Sequence, residues 1–193
     1  MQLDPEYWNK RYLTDDFGWD AGSITTPLKT YFDQLTNKEL KILIPGAGNS
    51  YEAEYLFKNG FENVFVLDYA SEPLQNFKAR NPRFHDQNLI QDDFFKHYDN
   101  YDLIIEQTFF CAINPILRLN YAQHMHQLLK PAGKLVGVLF DDVLNADKPP
   151  FGGDPTEYRT YFDNYFTYKV FEPCYNSIKP RENRELFINL VKK

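Results

Sequence analysis

A pair of glycines and a carboxylate stand where a folded chain could bind a small molecule. Gly46 and Gly48 follow the apolar run 40–44, and glycines directly after a strand permit a tight turn and let a ligand approach the backbone. Asp68 ends the next apolar run, 63–67, where an acidic side chain can accept hydrogen bonds from ribose hydroxyls. A plain turn and a helix cap are the alternative interpretations, but the order of strand, glycines, helix, strand and aspartate favours a ribose-binding role.

Two later segments carry further candidates. Asp93 and Phe94 place a carboxylate beside an aromatic ring, which could bind the amino group of adenine and cover its face; an acidic surface turn over core phenylalanines is the alternative. Residues 106–115 are unusually apolar for a loop, which indicates a pocket wall or a buried turn. Arg118 follows in the first turn of a predicted helix, where the helix dipole disfavours a cation, and this conflict indicates a specific role.

The glycine segment differs from the common phosphate-binding loops. The position of the third glycine in a dinucleotide fingerprint holds Tyr51, and no Gly-Lys-Ser/Thr sequence follows. Ser50 is small enough to keep the turn if its φ is negative. The loops together predict a nucleoside ligand without a phosphate cluster, and the missing glycine argues against a nicotinamide dehydrogenase, the first rival enzyme class.

Strands and helices alternate along the chain, which predicts βαβ units and a doubly wound, mostly parallel α/β sheet in one domain, 1–193. The predicted strands are 40–44, 63–67, 86–90, 102–105, 134–140, 168–173 and 185–191. The predicted helices are 4–13, 27–35, 51–59, 71–80, 115–129 and 156–165. No helix separates the last two strands, so one of them is expected to run antiparallel. In such sheets ligands bind beyond the carboxyl ends of the strands, where all of the candidate loops lie.

Composition excludes several classes of function. The net charge is −6 and no cluster of Lys and Arg is present, so we expect no nucleic-acid partner. No apolar stretch is long enough to span a membrane. The two cysteines, Cys111 and Cys174, lack metal-like spacing, which predicts no metal site, no disulfide framework and a cytoplasmic location.

The segment TFFCAI at 108–113, with Pro115, Arg118, Tyr121 and LLKPAG at 128–133, resembles the thiopurine S-methyltransferase superfamily, especially the plant-type halide and thiol methyltransferases. The resemblance extends over nearly the whole chain. Supporting matches are Trp8, the loop at 19–22, Pro45, Gly46, Gly48, Asp68, the DFF segment at 93–95 and the PPF segment at 149–151.

This resemblance implies a seven-stranded Rossmann-like class I methyltransferase with one antiparallel strand, an N-terminal helical lid over 1–36 and an α/β core over 37–193. It implies S-adenosylmethionine as the cofactor, a small soft nucleophile (thiol, sulfide, halide or thiopurine) as the methyl acceptor, and a monomer. The implied cofactor-binding residues are Trp8 and Trp19 in the lid, Gly46, Gly48 and Asp68, Asp93 and Phe94 at adenine, and Glu106 and Thr108 near the sulfonium. The implied acceptor-binding residues are Phe109, Pro150 and Phe151. Arg118 matches an arginine near the acceptor in the thiopurine enzymes, so we expect it to be the catalytic cation that raises the thiolate fraction.

The chain departs from the family pattern at three positions. Ser50 replaces the usual third glycine, Tyr12 a common tryptophan, and Glu106 a usual aspartate. A non-catalytic protein that binds S-adenosylmethionine, or a methyltransferase of another small molecule, therefore remains an alternative.

Overall fold

The computed structural model describes residues 2–193, and in them seven strands form one sheet. The strands are β1 (Ile42–Pro45), β2 (Val64–Asp68), β3 (Leu89–Gln91), β4 (Tyr101–Gln107), β5 (Leu129–Phe140), β6 (Phe166–Pro173) and β7 (Glu185–Lys192). The α-helices are α1 (Pro5–Leu13), α2 (Thr26–Phe32), α3 (Tyr51–Lys58), α4 (Ser71–Arg80), α5 (Arg118–Leu128) and α6 (Pro155–Phe162).

The strand order confirms the predicted doubly wound fold. The strands lie in the order β3-β2-β1-β4-β5-β7-β6, and the pairs from β3 to β5 are parallel. Strand β7 is antiparallel to both of its neighbours, β5 and β6. The chain order reverses between β1 and β4, which makes their carboxyl ends the switch point where ligands bind in such sheets.

Burial on both faces explains why the strand sequences lack polar alternation. All four residues of β1 are buried. Successive side chains of a strand point to opposite faces, so Leu43 packs in a core with Tyr121 of α5, and Ile42 and Ile44 pack in a second core with Leu56 of α3. Helices thus cover both sides and leave the strand ends free to carry the site.

Three local predictions differ from the structure. The strand predicted at 86–90 is shorter, because Asp86–Asn88 forms a 3₁₀ turn. The strand predicted at 134–140 begins earlier, because residues 130–133, which follow the helix, already belong to β5, where Ala132 has φ +60° and the register with β4 shifts. The φ of Ser50 is +55° rather than negative, and its hydroxyl donates to the carbonyl oxygens of Ala47 and Gly48, which stabilises this left-handed turn.

Within residues 2–193, each helix is too short or too polar to cross a lipid bilayer.

Candidate active site

The loop after β1 and the end of β2 are joined through one carboxylate. The Asp68 Oδ2 atom accepts a hydrogen bond from the Gly48 amide at 2.9 Å, and Oδ1 accepts one from the Ala70 amide at 2.9 Å. Each carboxylate oxygen can accept about two hydrogen bonds, so both retain capacity for a ligand's hydroxyl groups. Burial raises the pKa of Asp68, and the backbone amides of Ala70, Gly48 and Tyr69 partly offset this by favouring the ionised form.

The segment after β3 contributes the carboxylate of Asp93 and the aromatic ring of Phe94 to the wall of a cavity. The Asp93 Oδ1 atom accepts from the Phe95 amide at 3.0 Å, which fixes the turn. The Phe94 ring is 4% exposed and packs edge-on against Phe109 at 5.2 Å between ring centroids. Both Asp93 and Phe94 line the same cavity as Asp68.

The N-terminal segment covers this cavity with aromatic side chains. The rings of Trp8 and Trp19 meet edge to face at 5.6 Å, and the Arg11 guanidinium lies 4.6 Å from the Trp19 ring centroid. A Cβ atom added to Gly48 would lie 2.8 Å from the Tyr12 hydroxyl oxygen, so α1 reaches the glycine loop, and a residue without a side chain is needed at this position.

The α1 helix is attached to α4 by one side chain. Ala70 precedes α4 without capping it. The Asn9 Oδ1 atom instead accepts a hydrogen bond from the Glu72 amide at 3.0 Å and one from the Ser71 hydroxyl at 3.4 Å. Asn9 of α1 therefore caps α4.

The main cavity has a volume of about 320 Å³, within the range of about 300–1,000 Å³ typical of small-molecule sites. The sequence-predicted residues that line it are Trp8, Trp19, Gly46, Asp68, Asp93, Phe94, Thr108, Phe109 and Pro150. Sequence reasoning missed Arg11, Tyr69, Cys111 and Asn114 as lining residues. The apolarity of segment 106–115 could have indicated Cys111, whereas nothing in the sequence indicates that Arg11 turns toward the cavity.

The Gly46 position brings the glycine loop and segment 106–115 into direct contact. Gly46 has φ +56°, and an added Cβ atom would overlap the ring of Phe109. Only glycine therefore fits between this ring and the end of β1.

The structure corrects the expected position of Glu106, which does not line the main cavity. Its side chain is fully buried and accepts hydrogen bonds from the amides of Phe109 at 2.8 Å and Phe110 at 2.9 Å, and from the Tyr121 hydroxyl. Burial raises the pKa of Glu106 to about 7, although the three donors favour its ionised form. Glu106 thus holds in place the loop that presents Phe109.

The structure also corrects the expected position of Arg118. Its side chain is 2% exposed; Nη1 lies 2.8 Å from Glu157 Oε1, and Nη2 donates to the carbonyl oxygens of Phe151 at 3.3 Å and Gly152 at 2.8 Å. The guanidinium does not line the cavity that Asp68 and Phe109 share. Arg118 is the first residue of α5, which packs against α6. Its guanidinium therefore fixes the loop between β5 and α6 through the carbonyl oxygens of Phe151 and Gly152.

Two other predicted residues lie beside the main cavity. Gly48 lines an adjoining recess. Phe151 lines a second adjoining cavity, together with Leu3 and Asn114. The neighbouring Pro150 does line the main cavity, so the segment at 149–151 is divided between the two spaces.

The residues present fit S-adenosylmethionine. The free acceptor capacity of Asp68 suits a ribose, the Phe94 ring and Asp93 suit an adenine, and the aromatic ring of Trp8 suits a ligand that carries a positive charge. Within residues 2–193, no group of three or more His, Cys, Asp and Glu side chains is arranged to hold a metal ion.

Comparisons with known proteins agree with this arrangement. The family model described as thiopurine S-methyltransferase matches residues 3–191. The chain is 27% identical over 158 residues to the probable thiol methyltransferase 2 of Arabidopsis thaliana, covering 78% of this chain and 69% of that protein. It is 26% identical over 199 residues to the thiopurine S-methyltransferase of Vibrio cholerae serotype O1, covering 94% of this chain and 90% of the relative.

A solved structure shows the same fold. The 1,6-didemethyltoxoflavin-N1-methyltransferase of Burkholderia thailandensis, crystallised with S-adenosylhomocysteine, superposes with a TM-score of 0.71 at 15% identity. The superposition covers 100% of this chain and 92% of that one.

Proposed function

The chain belongs to the thiopurine S-methyltransferase family and is an S-adenosylmethionine-dependent methyltransferase, and we propose that it methylates a small soft nucleophile: a thiol, a sulfide, a halide or a thiopurine. The observation that carries this proposal is the chemistry of the cavity wall. Asp68 and Asp93 are the only acidic residues of the described chain that line it, no histidine does, and both acids lie on the nucleoside side. A hard nucleophile such as an alcohol needs a general base, whereas a halide needs none.

The acceptor side of the cavity is apolar. Phe109, Ile113, Leu117 and Pro150 line it beside Thr108. Such a wall excludes water and leaves a polarisable nucleophile poorly solvated, which increases its reactivity. Arg11 is the only Lys or Arg of the described chain that lines the cavity, and its guanidinium is paired with Asp16 at 3.0 Å.

Catalysis in this site is positional. S-adenosylmethionine supplies a methyl group that is already activated on a sulfonium. The protein's residues align the acceptor in line with that group, and alignment of this kind lowers a barrier by up to about 7–11 kcal/mol. A thiol acceptor must also lose its proton, because only a few per cent of a free thiol is thiolate at neutral pH.

An acceptor screen tests the proposal. The purified protein would be incubated with S-adenosylmethionine and separately with iodide, sulfide, thiocyanate, an aromatic thiol or a thiopurine, and products would be measured by mass spectrometry. We expect turnover with at least one of these acceptors and none with alcohols or amines. Bound cofactor without turnover on any soft acceptor would contradict the proposal, and would favour a non-catalytic binding protein or another acceptor class.

We also propose that the protein acts in the cytoplasm as a monomer, as a single domain whose residues 1–36 include the lid, and without a nucleic-acid partner. The free, buried thiols of Cys111 and Cys174 support a reducing compartment. Within the first segment, Leu28 and Phe32 of α2 are core residues, so the part that covers the cavity precedes α2. Light scattering after gel filtration would test the oligomeric state, and a dimer mass would contradict this part of the proposal.

A further inference from the structure

A second cavity adjoins the main cavity where the segment 106–115 meets the loop between β5 and α6. It has a volume of about 310 Å³, which is also within the range typical of small-molecule sites. The two cavities share the side chains of Leu3 and Asn114. Two neighbouring residues of the loop are divided between them, because Pro150 lines the main cavity and Phe151 lines the second one. The second cavity is therefore a continuation of the main one.

The boundary between the two cavities is fixed by hydrogen bonds of the Phe151 backbone. Its amide donates to the Cys111 carbonyl oxygen at 2.7 Å, and Cys111 lines the main cavity. From outside both cavities, Arg118 binds the Phe151 carbonyl oxygen. The Phe151 side chain is buried, so its ring forms a wall of the second cavity that is in place before any ligand binds.

The second cavity lies on the acceptor side of the site. It continues from the apolar wall that includes Pro150, whereas Asp68 and Asp93, on the nucleoside side, do not line it. A halide or sulfide ion has a single heavy atom, and it can reach the methyl group without entering this space. An acceptor with a larger substituent extends from its sulfur atom in the main cavity into the second cavity.

The lining of the second cavity favours a positively charged substituent. Asp147 is the only charged residue of the described chain that lines it, and no histidine does. The Phe151 ring adds an aromatic surface, and aromatic faces attract ammonium groups. In the main cavity, Arg11 is already paired with Asp16. An anionic substituent would therefore meet a carboxylate in the second cavity and no lysine or arginine of the described chain.

We propose that the second cavity binds the far end of the methyl acceptor, and that this acceptor is a thiol whose substituent carries an ammonium group. Its sulfur atom lies beside Phe109 in the main cavity. The substituent passes between Leu3 and Asn114, and the ammonium group lies near Asp147. This inference rests on the proposed function, because it selects one class among the soft nucleophiles given above.

Three arenethiols that differ in one substituent test the inference. Benzenethiol has none, 4-(aminomethyl)benzenethiol carries an ammonium group, and 4-mercaptobenzoate carries a carboxylate; sulfide is the acceptor without a ring. The value of kcat/KM would be measured for the full-length wild type, Asp147→Asn and Ala146→Trp. Both changed residues are exposed and line only the second cavity. Comparison of each variant with the wild type on the same thiol cancels differences in thiol reactivity.

Two control variants match these substitutions. Glu62→Gln changes an exposed acid outside both cavities. Val143→Trp introduces the same bulk as Ala146→Trp in the same loop, at a position that is 94% exposed and lines neither cavity. We expect both controls to resemble the wild type with every acceptor.

We expect Asp147→Asn to lower kcat/KM for the ammonium thiol about threefold and to raise it for the carboxylate thiol, because Asp147 is exposed and its charge is partly screened. Ala146→Trp fills the second cavity. It should therefore lower kcat/KM for the ammonium thiol about tenfold more than for sulfide.

An equal effect of Asp147→Asn on the ammonium and carboxylate thiols would overturn the inference, as would an equal effect of Ala146→Trp on sulfide and on the ammonium thiol. Turnover of sulfide or iodide by the wild type, without turnover of any arenethiol, would also overturn it and would leave the proposed function standing. Absence of turnover with every soft acceptor would overturn both.

Discussion

At the scale of single residues, Asp68 connects the loop after β1 to the end of β2, and it also presents hydrogen-bond acceptors to the cavity. Its oxygens accept from the Gly48 and Ala70 amides, and both retain acceptor capacity toward the cavity. The carboxylate is thus held in one orientation before any ligand binds, which lowers the entropic cost of binding.

Replacing this carboxylate tests its role as a ligand group. We expect Asp68→Asn to weaken S-adenosylhomocysteine binding by about tenfold or more, because a charged acceptor is replaced by an amide that presents a donor on one side. Calorimetric titration would measure the affinity, with the thermal midpoint as a check on folding. Wild-type affinity in a folded variant would remove Asp68 from the ribose site.

Glu106 predicts a pH dependence of stability. Burial raises its pKa from 4.5 to about 7, so between these values the folded protein holds a proton that the unfolded chain has lost. The stability contributed by this group is therefore present at low pH and is lost as pH rises toward about 7. We expect the wild type to lose about 2 kcal/mol more than Glu106→Gln from about pH 5 to about pH 7, because the dependence approaches about 1.4 kcal/mol per pH unit between the two pKa values. Urea unfolding at a series of pH values measures this difference, and parallel curves for the two proteins would contradict it.

At the scale of secondary-structure elements, Arg118 connects α5, α6 and the loop between β5 and α6. This loop contributes Pro149 and Pro150 to the main cavity. The guanidinium binds carbonyl oxygens of Phe151 and Gly152 and the carboxylate of Glu157. It therefore fixes the position of Pro149 and Pro150 from outside the cavity that they line.

Removal of this side chain is expected to affect the acceptor and leave the cofactor site intact. We expect Arg118→Ala to lower the free energy of unfolding by roughly 2–3 kcal/mol, less than for a fully buried pair because the Glu157 side chain is 34% exposed. The KM for the acceptor should rise several-fold, while S-adenosylhomocysteine affinity stays within about twofold. Arg159→Ala, on the exposed face of α6, is the matched control. An unchanged acceptor KM in folded Arg118→Ala would contradict this positioning role.

The lid helix predicts a second effect at this scale. Asn9 caps α4, and loss of such a cap costs about 1 kcal/mol. We expect Asn9→Ala to release S-adenosylhomocysteine about fivefold faster, because the lid opens more often. Both tryptophans of the chain, Trp8 and Trp19, lie in the lid, so stopped-flow tryptophan fluorescence reports this step directly. Asn9→Asp keeps the acceptor and should behave as the wild type. Equal release rates in the alanine variant would show that this contact does not hold the lid.

At the scale of the whole molecule, the architecture was predictable because each strand carries its own local signal. Apolar runs such as 40–44 and 63–67 end at glycines or an aspartate, and the topology of parallel sheets then brings their carboxyl ends together. This reasoning placed Gly46, Asp68 and Asp93 at one edge without knowledge of any side-chain contact.

The remaining site residues depend on packing that the sequence does not specify. Glu106 lies in the predicted segment 106–115 and Arg118 just beyond it, but the direction of each side chain follows from contacts: those of Arg118 with α6 and those of Glu106 with the segment's own amides. Glu52 and Arg181 are far apart in the chain, and only the fold brings both to the wall of the recess that Gly48 lines. The sequence thus predicts that a charged residue lies near a site, but it does not predict which atoms its side chain contacts.

The location of β7 between β5 and β6 has a consequence for biosynthesis. Strand β6 lies at the edge of the sheet, and its one neighbouring strand, β7, leaves the ribosome after it. Until then the nascent chain exposes an unpaired strand that contains Phe166, Val170 and Phe171, and unpaired apolar edges of this kind promote aggregation. Pairing of β7 with β6 and β5 therefore covers this apolar strand and completes the sheet.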